Sequence, residues 1–142
     1  MHKLKELTLI GGIAFWLTTF VISLTPIAAD YRAAFSINWA SMILVESVIA
    51  GMIIAGIISY ALIRYFDKIP TKKPVLKSLL LSFTVFSFAT IMIQAGSGLL
   101  VDDSLYYGII GVIINIPRFL LLGLGIGYQY TRLNKPEGLV TK

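Results

Sequence analysis

Four apolar runs of membrane-spanning length dominate this chain and leave it few folds to choose from. They cover 7–29, 39–63, 79–101 and 106–128. The first and third carry no charge, the second is interrupted only by Glu46, and the fourth only by Arg118. A hydrocarbon core takes about 20 helical residues to cross. Inside it the backbone can satisfy its polar groups only within helices or a closed barrel. The alternating pattern of a barrel strand is absent. The expected fold is therefore an all-α integral membrane protein, a single domain over 1–142 with four transmembrane helices in an up-down bundle. Composition agrees. Charged residues make up 13% of the 142 and hydrophobic ones 57%, against about 25% charged in soluble domains. A soluble fold of this size could not bury so much apolar surface.

Charge sets the expected orientation. Lys3 and Lys5 precede the first run, and Arg64, Lys68, Lys72, Lys73 and Lys77 lie in or at the edge of the connector 64–78. Arg132, Lys135 and Lys142 follow in the tail 132–142. The opposite loops hold Arg32 as their only basic residue, with Asp30, Asp102 and Asp103. The positive-inside rule puts both termini and the connector in the cytoplasm of a cell-membrane protein. It also accounts for the net charge of +5 without nucleic acid as a partner. Lys68, Lys72, Lys73 and Lys77 are expected to meet anionic lipid headgroups of the bilayer. The first run has the basic start of a signal peptide and ends Pro26-Ile27-Ala28-Ala29. Its apolar stretch is longer than the roughly 7–15 residues of a signal core, and Ile27 suits cleavage poorly, so it is expected to remain as a span.

Several chemistries find no residues here. The chain has no cysteine, and its one histidine is His2, so thiolate clusters are excluded and histidine-ligated metal or haem is not expected. Nucleotide-binding loops and a Ser-His-Asp set are also missing. No cofactor or metal is expected, and no catalytic residue is assigned.

The helix faces are more informative. In the second run Ser47, Gly51, Ala55 and Ser59 recur every fourth residue, a small-residue row that lets another helix approach closely, within the chain or from a partner subunit. Gly123 and Gly127 form a second such pair. Thr84, Ser87, Thr90, Gln94 and Ser97 share one face of the third run and are expected to face inward, as interhelical hydrogen-bonding groups or a wet cavity wall. Pro117 should kink or loosen the fourth run and free the carbonyl of Ile113, which Asn115 or Arg118 could satisfy.

Glu46 and Arg118 are the anomalies. A charge near the centre of a spanning helix costs about 3 kcal/mol on the insertion scale, so each needs a partner or water. Counted from the outer side, Glu46 lies roughly 10 Å deep, Asn115 roughly 13 Å and Arg118 roughly 18 Å, with Gln94 again near 10 Å. Side chains lean toward the helix N-terminus, which carries Arg118 toward Glu46. The expected arrangement is one buried polar cluster of Glu46, Gln94, Asn115 and Arg118, built on a Glu46–Arg118 ion pair. Three functions fit. The first is a non-catalytic accessory or structural subunit, oligomerising with its own or other membrane helices. The second is a proton-coupled transporter or channel protomer for a small solute. The third is a lipid-directed enzyme with Glu46 as acid or base.

Overall fold

The computed structural model describes residues 2–35, 40–97 and 103–134, with the side chains of residue 40 and residues 93–97 excepted. The described elements are α1 (His2–Ser23), α2 (Pro26–Ala34), α3 (Ala40–Arg64), a short 3-10 turn (Phe66–Lys68), α4 (Pro74–Ser97) and α5 (Ser104–Leu133). Four of them, α1, α3, α4 and α5, contain stretches long and apolar enough to cross a membrane. They coincide with the four runs of the sequence, with shifted ends.

The first run departs most from expectation. It reads as apolar to Ala29, but α1 stops at Ser23 and Pro26 opens a separate helix. Pro26 has no N–H to offer the carbonyl of Ile22, and its ring crowds that carbonyl. The Ile22 oxygen accepts instead from the Thr25 backbone N–H at 2.9 Å and the Thr25 hydroxyl at 2.7 Å. Thr25 also caps α2, its Oγ1 accepting from Ala28 N at 3.4 Å. Proline sits at the first helical position, where a missing N–H costs little. At the end of α1 the Ser23 carbonyl accepts from Arg32 Nη1 at 3.1 Å, which places a cation at the negative end of the helix dipole.

Small residues set the packing. A Cβ built on Gly51 of α3 would lie 2.9 Å from Phe15 Cδ1 of α1. One built on Gly11 of α1 would lie 2.8 Å from Ile126 of α5 and 2.9 Å from Ala55 of α3, so three helices meet at Gly11. The row Ser47, Gly51, Ala55 and Ser59 is buried inside the chain, with Gly51 and Ala55 against α1. On the other side Gly123 and Gly127 of α5 receive α4. Their built Cβ atoms would lie 3.0 Å from Ser82 Cβ and 2.6 Å from Val75 Cα. The second approach is backbone to backbone and leaves no room for a side chain. Contacts of α1 with α3 and α5, and of α4 with α5, are extensive. By contrast, α3 and α5 meet only briefly, and the α3–α4 seam is short.

Near the chain termini the bundle is closed by Leu7, Ile58, Leu62, Leu122 and Ile126, all fully buried. At that end Lys3 Nζ donates to Asn134 Oδ1 at 2.8 Å and Gln129 Nε2 donates to Glu6 at 3.3 Å. The other end is looser and holds the site.

Candidate functional site

At the end of the bundle away from Lys3 and Asn134 lies a cavity of about 380 Å³, within the roughly 300–1,000 Å³ usual for small-molecule pockets. Its floor is aromatic. Phe15, Phe86 and Phe119 are at most 9% exposed. Phe119 meets Phe15 edge-on at 5.6 Å and Phe86 at 5.1 Å between ring centroids. Ser82 Oγ of α4 donates to the Phe119 carbonyl at 2.6 Å and ties α4 to α5 one residue beyond Arg118. Above this floor the wall becomes polar and carries Arg118, Asn115, Tyr31, Arg32, Glu46 and Ser47.

Arg118 is held by its own helix. Asn115 Nδ2 donates to the Gly111 carbonyl at 2.8 Å, and Arg118 Nη1 donates to Asn115 Oδ1 at 3.1 Å. Asn115 thus bonds the carbonyl of Gly111, one turn before itself, and not the Ile113 carbonyl freed by Pro117. The helix assignment of α5 runs through Pro117 without a break. Arg118 Nε is buried and has no hydrogen-bond partner among the described residues. An unpaired buried donor is costly.

The expected Glu46–Arg118 ion pair is not formed. The two side chains line the same cavity, and Glu46 is near enough for its charge to act on Arg118. Among the described residues, however, Glu46 takes part in no ion pair, and it is exposed at the cavity wall. The helix arrangement explains this. With α1 packed against both α3 and α5, these two helices stand apart, and the space between Glu46 and Arg118 is cavity. The side chains of Gln94, the remaining member of the expected cluster, and of Ser97 in the α4 stripe lie outside the described residues.

The polar stripe of α4 is also placed differently. Thr84 and Ser87 are exposed, their hydroxyls donating at 2.9 Å to the Leu80 and Phe83 carbonyls of their own helix, while Thr90 is half-buried. A hydroxyl satisfied within its helix can face lipid at little cost. The inward row of α4 is Ser78, Ser82 and Phe86, dictated by the close approach of Gly123 and Gly127. Of the lysines expected at headgroups, Lys68, Lys72 and Lys73 are exposed. Lys77 is not: it is 5% exposed. Its Nζ donates to the Phe66 carbonyl and lies 3.9 Å from the centre of the Phe66 ring, which stacks on Tyr130. The 3-10 turn folds over Lys77 and takes it away from the surface.

Two residues of the site, Tyr31 and Arg32, were not singled out by sequence reading. Both come from α2. The Tyr31 hydroxyl lies 3.2 Å from a Cβ built on Gly111, so the absence of a side chain at Gly111 makes room for the phenol. Burial raises the pKa of the Tyr31 phenol above its usual value, with the Arg118 charge opposing, so the hydroxyl stays neutral and able to donate. The Thr25-Pro26 pair was the signal available, since a capping residue followed by proline marks a helix start.

Among the described residues no cluster of three or more metal-ligating side chains is present. The chain matches no family model, no curated protein and no solved structure.

Proposed function

We propose that this is a four-span protein of the cell membrane, an up-down bundle with both termini cytoplasmic, and that it binds a small solute in a cavity open to the outer side. Such binding is the step that a carrier or channel-type protomer requires. The basic residues at the termini and connector support the orientation. Contact partners support the up-down order. Thr8 neighbours Gly56 and Phe15 neighbours Gly51, while Ser82 neighbours Gly123 and Val75 neighbours Gly127, so numbers fall along one helix as they rise along the next. The observation that carries the functional reading is the cavity itself, with the half-buried Arg118 held at its wall by Asn115. A charged side chain that lines a cavity within a spanning helix marks a candidate functional site. The test uses the cysteine-free chain. A cysteine at Ala50, which lines the cavity, should react with a membrane-impermeant maleimide applied to intact cells. Protection there, with reaction in the unfolded protein, contradicts the proposal.

A second reading rests on Glu46. Its carboxylate sits exposed in a spanning helix with no ion-pair partner among the described residues, which suits an accessory subunit whose neighbour supplies the partner. Under that reading a complex isolated in mild detergent dissociates in Glu46→Leu.

A further inference from the structure

Among the described residues the charges around the cavity do not cancel. Arg118 and Arg32 bring two positive charges to its wall and Glu46 brings one negative. We infer that the cavity takes a monoanionic amphiphile, a carboxylate or phosphate oxyanion on an apolar body; this rests on the cavity being the ligand site. One negative charge on the ligand neutralises the surplus. A second would be left facing Glu46 without compensation.

The donors suit an oxyanion. A guanidinium presents its N–H groups as a planar fork that matches carboxylate and phosphate oxygens. At Arg118 Asn115 holds Nη1, and the half-buried side chain lines the cavity. Arg32 commits Nη1 to the Ser23 carbonyl at 3.1 Å, which fixes its position on the wall. Tyr31 adds a neutral hydroxyl on the same side. Apart from Ser23, Ser47 and Asn115 the rest of the described lining is apolar, with Phe15, Phe86, Phe119 and Ile54 among it. A hydrated inorganic ion gains nothing from that floor, whereas an alkyl or aryl body buries its surface there. The volume of about 380 Å³ equals roughly a dozen waters at about 30 Å³ each, room for a head and a short apolar segment.

The experiment is equilibrium dialysis of radiolabelled decanoate against the full chain in maltoside micelles, with empty micelles subtracted. Saturable binding at one site per chain is expected, displaced by the singly charged diester methyl octyl phosphate and not by decanol or decyltrimethylammonium. Methyl octyl phosphate displacing more tightly than unlabelled decanoate points to a lipid phosphate as the source, and the reverse to a free acid; both support the inference. Arg118→Gln should weaken binding at least tenfold, with Arg118→Lys recovering part of the loss and Glu46→Gln tightening it. Ala50→Phe fills the cavity and leaves both arginines, and should abolish binding with helicity and elution volume unchanged. Displacement by decanol as strong as by methyl octyl phosphate overturns the anion assignment while leaving the cavity a ligand site. Displacement by inorganic phosphate at similar concentration overturns the apolar part. No saturable binding, or wild-type binding by Ala50→Phe, overturns the inference altogether. The maleimide reaction at position 50 reports separately on the functional reading.

Discussion

Asn115 orients Arg118. Because the Asn115 amide nitrogen donates to the Gly111 carbonyl at 2.8 Å, its oxygen is turned toward the guanidinium, which it meets at 3.1 Å. Replacing Asn115 by Leu removes this hydrogen bond to the charge. The expected loss is about 1–2 kcal/mol, between the roughly 0.6 kcal/mol average for bonds between membrane helices and the 1.5–3 kcal/mol of a bond to a charged group. Arg118→Met also removes the cost of burying that charge, so the double variant Asn115→Leu/Arg118→Met should be more stable than Asn115→Leu alone. Denaturant unfolding in micelles measures this. Additive losses would mean that the two residues act independently.

Gly127 and Gly125 make a matched pair on one helix. A Cβ at Gly127 would fall 2.6 Å from Val75 Cα, whereas one at Gly125 would sit 3.4 Å from Ile10 Cγ2, in near-ordinary contact. Gly127→Ala must therefore push α4 from α5, at a cost of about 1–3 kcal/mol. Gly125→Ala should be neutral or stabilising, by up to about 1 kcal/mol of helix propensity. Thermal midpoints of the two variants separate in that order, and equal midpoints would show that α4 and α5 are not so close.

Serines and threonines on α4 should divide by face. Thr84→Val and Ser87→Ala leave exposed hydroxyls unmade and should change stability by less than about 0.5 kcal/mol. Ser82→Val breaks the buried bond to the Phe119 carbonyl and crowds Gly123, and should cost about 1–3 kcal/mol. The reverse order would place the polar stripe inside after all.

Lysine reactivity tests the 3-10 turn. In folded protein an amine-directed reagent should modify Lys68, Lys72 and Lys73, all exposed, and spare Lys77 at 5% exposure. Mass spectrometry of the digested chain reads each site. Equal modification of Lys77 would mean that the turn does not cover it.

Much of this fold was legible because hydrocarbon is an intolerant solvent. Length and apolarity alone mark the four helices, and residues such as Gly51, Ala55, Gly123 and Gly127 stand at the helix contacts because only small side chains let backbones approach. Facing was harder to read. Thr84 and Ser87 look like inward groups in a one-dimensional pattern, yet a hydroxyl can satisfy itself on its own helix, and Ser78 and Ser82, which do face inward, lie on a row fixed by glycines in another helix. Glu46 and Arg118 were visible as charges in apolar runs, and depth together with the outward lean of the arginine side chain brought them toward one level. Whether they touch depends on which helices are neighbours, and no local pattern encodes that α1 separates α3 from α5. Tyr31 went unnoticed, and Arg32 was read only as a loop charge, because the apolar run hid the helix break at Thr25-Pro26.

The most direct measurement is the charge preference of the cavity. A cysteine at Ala50 is treated from outside with two methanethiosulfonate reagents of similar size, one bearing a sulfonate and the other a trimethylammonium. With Arg118 and Arg32 on the wall, the sulfonate reagent should react several-fold faster once the rates are normalised to a free thiol, and Arg118→Gln should remove most of that preference. Faster reaction of the cationic reagent, or a preference that survives Arg118→Gln unchanged, would contradict an anion site built on Arg118.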